Sequence, residues 1–223
     1  MPKPPKPPFA PSPAQITEVF RNSLIYEIMY TFGVPQSYDP TDYFQWETVN
    51  FARMAHARLL YDFFETTAVK REQNNQMHRD GNDDVIAEDF GFPALSIPVP
   101  PDDRKRVNKD LMHLTYARLR HTPATKPWPD SYLGCLLAPT VEFMRFVKTQ
   151  PLLFAGPVDA ALWDEILRIL DSGMELRVRC VAEAGKMVYR IRGGDALPSG
   201  LPRLTQRVNI LPRTNYGSTT NST

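Results

Sequence analysis

Cysteine is nearly absent from this chain, and that absence is the first of several that narrow its possible functions. Two cysteines, Cys135 and Cys180, among 223 residues are too few for a disulfide scaffold and fit a reducing compartment. Long apolar runs are missing as well. Nothing approaches the roughly 18 consecutive apolar residues of a membrane span, and the proline-studded N-terminus offers no hydrophobic signal region. The expectation is therefore a cytoplasmic protein with no membrane partner. Charge of one sign is not in excess: 26 basic and 25 acidic residues leave a net +1, which argues against a surface built throughout for nucleic acid. Glycine is scarce at 11 copies, and the glycine signatures are missing with it: no phosphate loop, no Gly-x-Gly-x-x-Gly, no Gly-x-Ser-x-Gly elbow. No His-Glu-x-x-His, Glu-x-x-His or Cys-x-x-Cys spacing occurs, so no motif calls for a metal or another cofactor.

Proline, by contrast, is plentiful. Its 22 copies are about twice the usual share of about 5%, and their placement divides the chain. Residues 1–13 hold seven of them and read as an extended, disordered arm. Residues 14–173 carry helical punctuation and read as a bundle of about five helices. Ser12, Pro13 and Gln15 form an N-cap, a first-turn proline and a capping-box partner. Ile16, Val19, Phe20, Leu24, Ile28 and Phe32 follow at helical spacing until Gly33 and Pro35. A second helix starts at Asp39–Asp42 and runs to about Thr66. A third starts at Asp102–Asp103 and runs until Pro123. A fourth region spans Asp130–Lys148, with Pro139 expected to kink or split it, and a fifth helix covers Pro157–Asp171. Residues 66–101 read as a long irregular acidic loop with one possible turn at Val85–Phe90. Residues 174–196 alternate apolar and basic side chains about Ala184-Gly185, the pattern of a β-hairpin. Residues 197–223 have no apolar period and read as a disordered tail. The fold class expected is mainly α with a C-terminal hairpin.

The near-zero charge is a sum of two unlike parts. From Met174 onward eight basic residues meet three acidic ones, hence +5, which leaves −4 for everything before. The basic hairpin, with Tyr189 among its arginines, is a candidate for touching nucleic acid.

Polar residues interrupt two apolar stripes. On the second helix Val49, Ala52, Leu59, Leu60 and Phe63 share a face with His56 in its middle, while Arg58 and Asp62, four residues apart, can meet as an ion pair. On the third helix Asn108, Thr115 and Arg118 interrupt Val107, Leu111, Leu114 and Leu119. Arg118 needs an acidic partner, and Asp62, Asp83, Asp84 and Asp89 are the candidates. Gathered together, His56, Arg58, Asp62, Asp84 and Arg118 make a polar pocket suited to acid–base chemistry on a small molecule or a structural network fixing the register of the bundle. Arg106 and His113, seven apart, project from the other side of the third helix. Cys135 reads as a small core residue.

Three phrases, HARLLYDFF (His56–Phe64), DDVIAEDF (Asp83–Phe90) and NKDLMHLTYAR (Asn108–Arg118), together resemble a loosely defined group of small helical bacterial proteins. That resemblance implies a helical bundle and no particular activity. More remotely, Arg106 and His113 are similar in spacing to the arginine–histidine signature of HEPN-type helical domains, many of which cleave RNA. That resemblance implies Arg106 on a phosphate and His113 in proton transfer, across a dimer; Val107 stands where the family usually has a polar residue. The function expected first is a helical binding or regulatory module with a protein partner or a second copy of itself. The alternatives are a HEPN-like ribonuclease and a small-molecule or metal-assisted enzyme.

Overall fold

A computed structural model describes residues 5–39, 41–77, 83–111, 130–150, 153, 157–183 and 186–196. It is mainly helical, with one small sheet. The first helix starts where the sequence places it: Ser12 Oγ accepts from the Gln15 N–H and Gln15 Oε1 accepts from the Ser12 N–H, with Pro13 in the first turn. Helix α1 (Pro13–Val19) passes through a π-helical turn (Phe20–Leu24) into α2 (Ile25–Phe32). The wide turn keeps both Phe20 and Leu24 buried.

The second helix, α3 (Tyr43–Glu65), is capped by Asp42, whose carboxylate accepts from the Phe44 and Gln45 N–H groups. Its buried side overlaps the one expected only in part: Leu60 and Phe63 are in the core as expected, joined by Met54, Ala57, Tyr61 and Phe64, whereas Leu59 is 52% exposed and His56 half-buried. The helix is apolar nearly all round, so its own pattern does not choose a face; the neighbours do. α2 and α6 (Asp130–Val147) take the Met54–Phe64 side. α6 runs on through Pro139 as one helix. At the centre, the Phe143 ring meets Phe63, Phe64, Phe90 and Phe92 edge-on, with centroids 5.2–5.8 Å apart. Such aromatic pairs add to the burial they accompany.

The described parts of residues 66–101 are more regular than the loop expected. They hold α4 (Ala68–Met77) and a 3-10 turn at Ala87–Phe90, close to the turn expected there. The sequence hides α4 because its apolar content is too low to show a stripe. What it buries is polar, Arg71 and Asn75. The N-terminal arm lies along it. Residues 5–12 have no regular secondary structure, as extended chain should, yet Lys6 and Gln76 exchange hydrogen bonds of 2.9 Å, Asn75 Nδ2 donates to the Pro7 carbonyl, and the Phe9 ring sits 5.2 Å from the Arg71 guanidinium. An arm expected to be disordered thus has a docking helix that the sequence did not reveal.

The third helix begins at Pro101 as α5 (Pro101–Arg106) and widens into a π turn, Val107–Leu111. Val107 and Leu111 are buried as expected, but Asn108 is exposed. α7 (Pro157–Asp171) has the bounds read from the sequence. The hairpin is present as β2 (Met174–Glu183) and β3 (Lys186–Ala196), paired antiparallel. A third strand was not foreseen. β1 (Gly33–Pro35) lies parallel to β2, with Val34 opposite Arg177, and the Gln36 N–H donates to the Val178 carbonyl. Gly33 permits it: a methyl group there would run into the Met29 carbonyl oxygen, so only glycine lets the chain leave α2 directly as a strand. The remainder of the third helix to Pro123 and the tail 197–223 lie outside the described residues.

Candidate functional site

Three charged pairs close off interior charge, while buried Arg53 donates from its Nε to the Thr31 carbonyl. Arg71 grips Asp89 with two hydrogen bonds of 2.7 and 2.8 Å, and its Nη1 also donates to the Asp84 carbonyl. The two side chains are 6% and 8% exposed. Arg104 and Glu65 form a second two-bond pair beside the Tyr61 ring, and Glu65 also accepts from the Ile97 N–H. Arg177 pairs with Glu175 and donates to the Tyr38 carbonyl. Such pairs are held because either charge alone would be costly to bury. They tie loop segments to helices: residues 84–89 to α4, residues 97–104 to α3, and β2 to the segment after β1.

Sequence reasoning found none of these pairs. Asp89 had been a candidate partner for Arg118; in the structure Arg71 holds it. A buried pair between elements 18 residues apart has no periodic trace, since each partner obeys a different element's spacing.

His56 points at a residue the sequence did not flag. Its Nδ1 is 2.7 Å from Glu27 Oε2 on α2, so the ring N–H donates to the carboxylate. The ring packs against Tyr26 and Tyr30, at 5.3 and 4.9 Å between centroids. Glu27 was legible in principle: it follows Tyr26 and precedes Ile28 and Tyr30, an acidic residue within an aromatic and apolar run.

Glu27 also belongs to a cleft of about 270 Å³ between the α1–α2 helix and α3, closed at one end by Asp84 and Val85. Its walls are Val19, Leu24, Leu59, Leu60 and Phe63; its polar groups include Ser23, Asp62 and Asp84. The π turn supplies Ser23 and Leu24, and the Leu59 exposed outside the core is one of its walls. Asp62 is open to solvent on one side, yet the chain around it withdraws enough water to raise its pKa. Burial is the leading cause; Asp84 and Glu65 push the same way, and Arg58 and Lys70 oppose it.

The structure therefore divides the sequence-derived candidates. Asp62 and Asp84 meet at the cleft, and His56 stands behind it through Glu27. Arg58 acts on Asp62 through space but forms no ion pair with it among the described residues, so the expected i, i+4 pair is not made. Arg118 and His113 lie outside the described residues. Arg106 is half-buried at the end of α5. The π turn that follows breaks the 100° step on which a shared face with His113 was predicted. Cys135 donates to the Pro98 carbonyl at 3.3 Å, and burial raises its thiol pKa, which disfavours a thiolate nucleophile. Among the described residues no three His, Cys, Asp or Glu side chains are placed to hold a metal ion, and no helix is long and apolar enough to cross a membrane.

No protein-family model, curated protein or solved structure matches the chain.

Proposed function

We infer that the protein is a cytoplasmic, non-catalytic helical binding module whose cleft receives a basic side chain with apolar neighbours from a partner protein. The observation that carries this reading is Asp62: a carboxylate with a raised pKa, in an apolar-walled cleft, with no ion pair among the described residues. The less exposed carboxylates of Asp89, Glu65 and Glu175 already have partners in Arg71, Arg104 and Arg177. An incoming guanidinium or ammonium would supply a counter-charge, and Leu59 and Phe63 would cover its aliphatic stem.

Size favours a side chain over a free ligand. At about 270 Å³ the cleft falls below the roughly 300–1,000 Å³ of pockets that enclose small molecules. The acid–base reading of the same groups has less support, because His56 is engaged with Glu27 and flanked by two tyrosines. The ribonuclease reading depends on His113, which lies outside the described residues.

The test is a titration of the 15N-labelled protein with an acetylated Leu-Arg-Leu-Lys-Leu peptide amide. Amide shifts at Ser23, Leu59 and Val85 are expected, reduced at least tenfold in affinity by Asp62→Asn and weakened as the pH falls through the raised Asp62 pKa. Equal binding by Asp62→Asn, or shifts confined to other surfaces, would refute it.

A further inference from the structure

The outer face of the β2–β3 ribbon carries an arrangement that strand pairing alone does not favour. Alternation along the strands turns Leu176, Val178, Tyr189 and Ile191 toward the core. The intervening positions face outward, and the register sets Arg177 directly opposite Arg192 and Arg179 directly opposite Arg190. Like charges directly opposite one another destabilise a sheet. Arg179, Arg190 and Arg192 are exposed. Arg177 is held in place by Glu175 and Tyr38. Gly194 makes room for that pair, since a methyl group there would come within 2.8 Å of Arg177 Cγ and 2.9 Å of Glu175 Cγ.

We propose that this face grips the phosphate backbone of a nucleic-acid duplex. Exposed Arg179 and Arg190 on one rung and exposed Arg192 on the next, about 6.8 Å away along the strands, concentrate positive charge that a polyanion neutralises. Shape agrees with charge: β1 pairs with β2 over Leu176–Val178, so beyond Val178, where Arg179 faces Arg190, the hairpin is a two-stranded ribbon, the element that the roughly 12 Å major groove of B-DNA admits. A single strand is disfavoured because its recognition relies on aromatic platforms for stacked bases. Tyr189 does not provide one here. It pairs with Cys180 on the inner face, against the core, which corrects the expectation that it stands among the arginines. With contacts to phosphate and none to base edges, binding is independent of sequence.

The experiment measures fluorescence anisotropy of labelled 20-base-pair DNA and RNA duplexes, a 20-nucleotide single strand and poly-glutamate, with the full chain, between 50 and 200 mM KCl. Three exposed arginines predict a log–log salt slope near −2.7 and a roughly 40-fold loss of affinity over that range. Arg192→Gln reduces the slope by about 0.9, and Arg179→Gln/Arg190→Gln/Arg192→Gln abolishes binding. The DNA and RNA arms distinguish the two duplex sources of phosphate. Melting temperatures and far-UV circular dichroism are recorded for both variants, and Arg192→Gln, a single change at an exposed position, keeps the test decisive should the triple variant melt early. The proposal is overturned if neither duplex binds at 50 mM, if the single strand or poly-glutamate binds as tightly as the better duplex, or if the triple variant binds normally.

Discussion

Removing Arg71 should cost more stability than any exposed substitution in this protein, and the size of the loss follows from its surroundings. Its guanidinium makes two hydrogen bonds to Asp89 and one to the Asp84 carbonyl, and both charged side chains are under a tenth exposed. Deleting one member of a buried pair strands the other and costs about 3–5 kcal/mol. At this chain length that loss lowers Tm by about 6–20 °C. Asp89→Leu should cost at least as much, because Asp89 Oδ2 also accepts from the Ile86 N–H, which would be left unsatisfied. Arg71→Leu/Asp89→Leu removes both charges and should cost clearly less than the sum of the singles, with a coupling of about 2 kcal/mol or more between them. Urea unfolding of the four proteins at one pH measures the cycle. If Arg71→Leu costs under about 1 kcal/mol, or if the two losses simply add, the pair does not hold residues 84–89 to α4 as argued.

Asp62→Asn should stabilise the protein at neutral pH. Its raised folded-state pKa means that wild-type Asp62 supports the fold fully below its unfolded pKa of about 3.9 and loses that support as pH rises through the folded value. The variant's advantage should therefore disappear near pH 3.5, and urea midpoints that favour wild type at pH 7 would contradict the sign. Gly33→Ala should destabilise by about 2 kcal/mol or more, because α2 or β1 must move away from the Met29 carbonyl; a Tm change within 1 °C would refute this. Deleting residues 1–11 should speed hydrogen exchange in α4 and cost about 1 kcal/mol from the lost Phe9–Arg71 contact and arm hydrogen bonds, with unchanged α4 protection as the contrary result.

What the sequence disclosed depended on how local each signal is. The α1 capping box, the bounds of α7 and the alternation of the hairpin are set by residues within a few positions of one another, and each is where it was expected. β1 is three residues long and begins and ends on Gly33 and Pro35, residues that ordinarily mark a turn; only β2, far along the chain, makes them a strand. α4 has few apolar side chains and is fixed instead by Arg71 and by the arm. At the site, Asp62 and Asp84, two of the five residues expected to share a pocket, both line the cleft. Glu27 was missed because it sits on a helix whose stripe looked complete without it. Arg58 and Asp62 shared a face as predicted, but the ion pair did not follow, since sharing a face permits a contact without requiring one.

The parallel pairing of β1 with β2 has a further consequence during synthesis. Gly33–Pro35 and Leu176–Val178 are some 140 residues apart, and closing so long a loop costs about 4 kcal/mol of chain entropy before any bond is gained. At about 5–20 residues per second the ribosome needs roughly 7–30 s to deliver the second partner. Through that interval the end of α2, with Met29, Phe32 and Val34 destined for full burial, waits without the strand that covers it. The emerging chain is thus most prone to aggregation before its last quarter appears, and truncation anywhere short of β2 should leave it dependent on a chaperone.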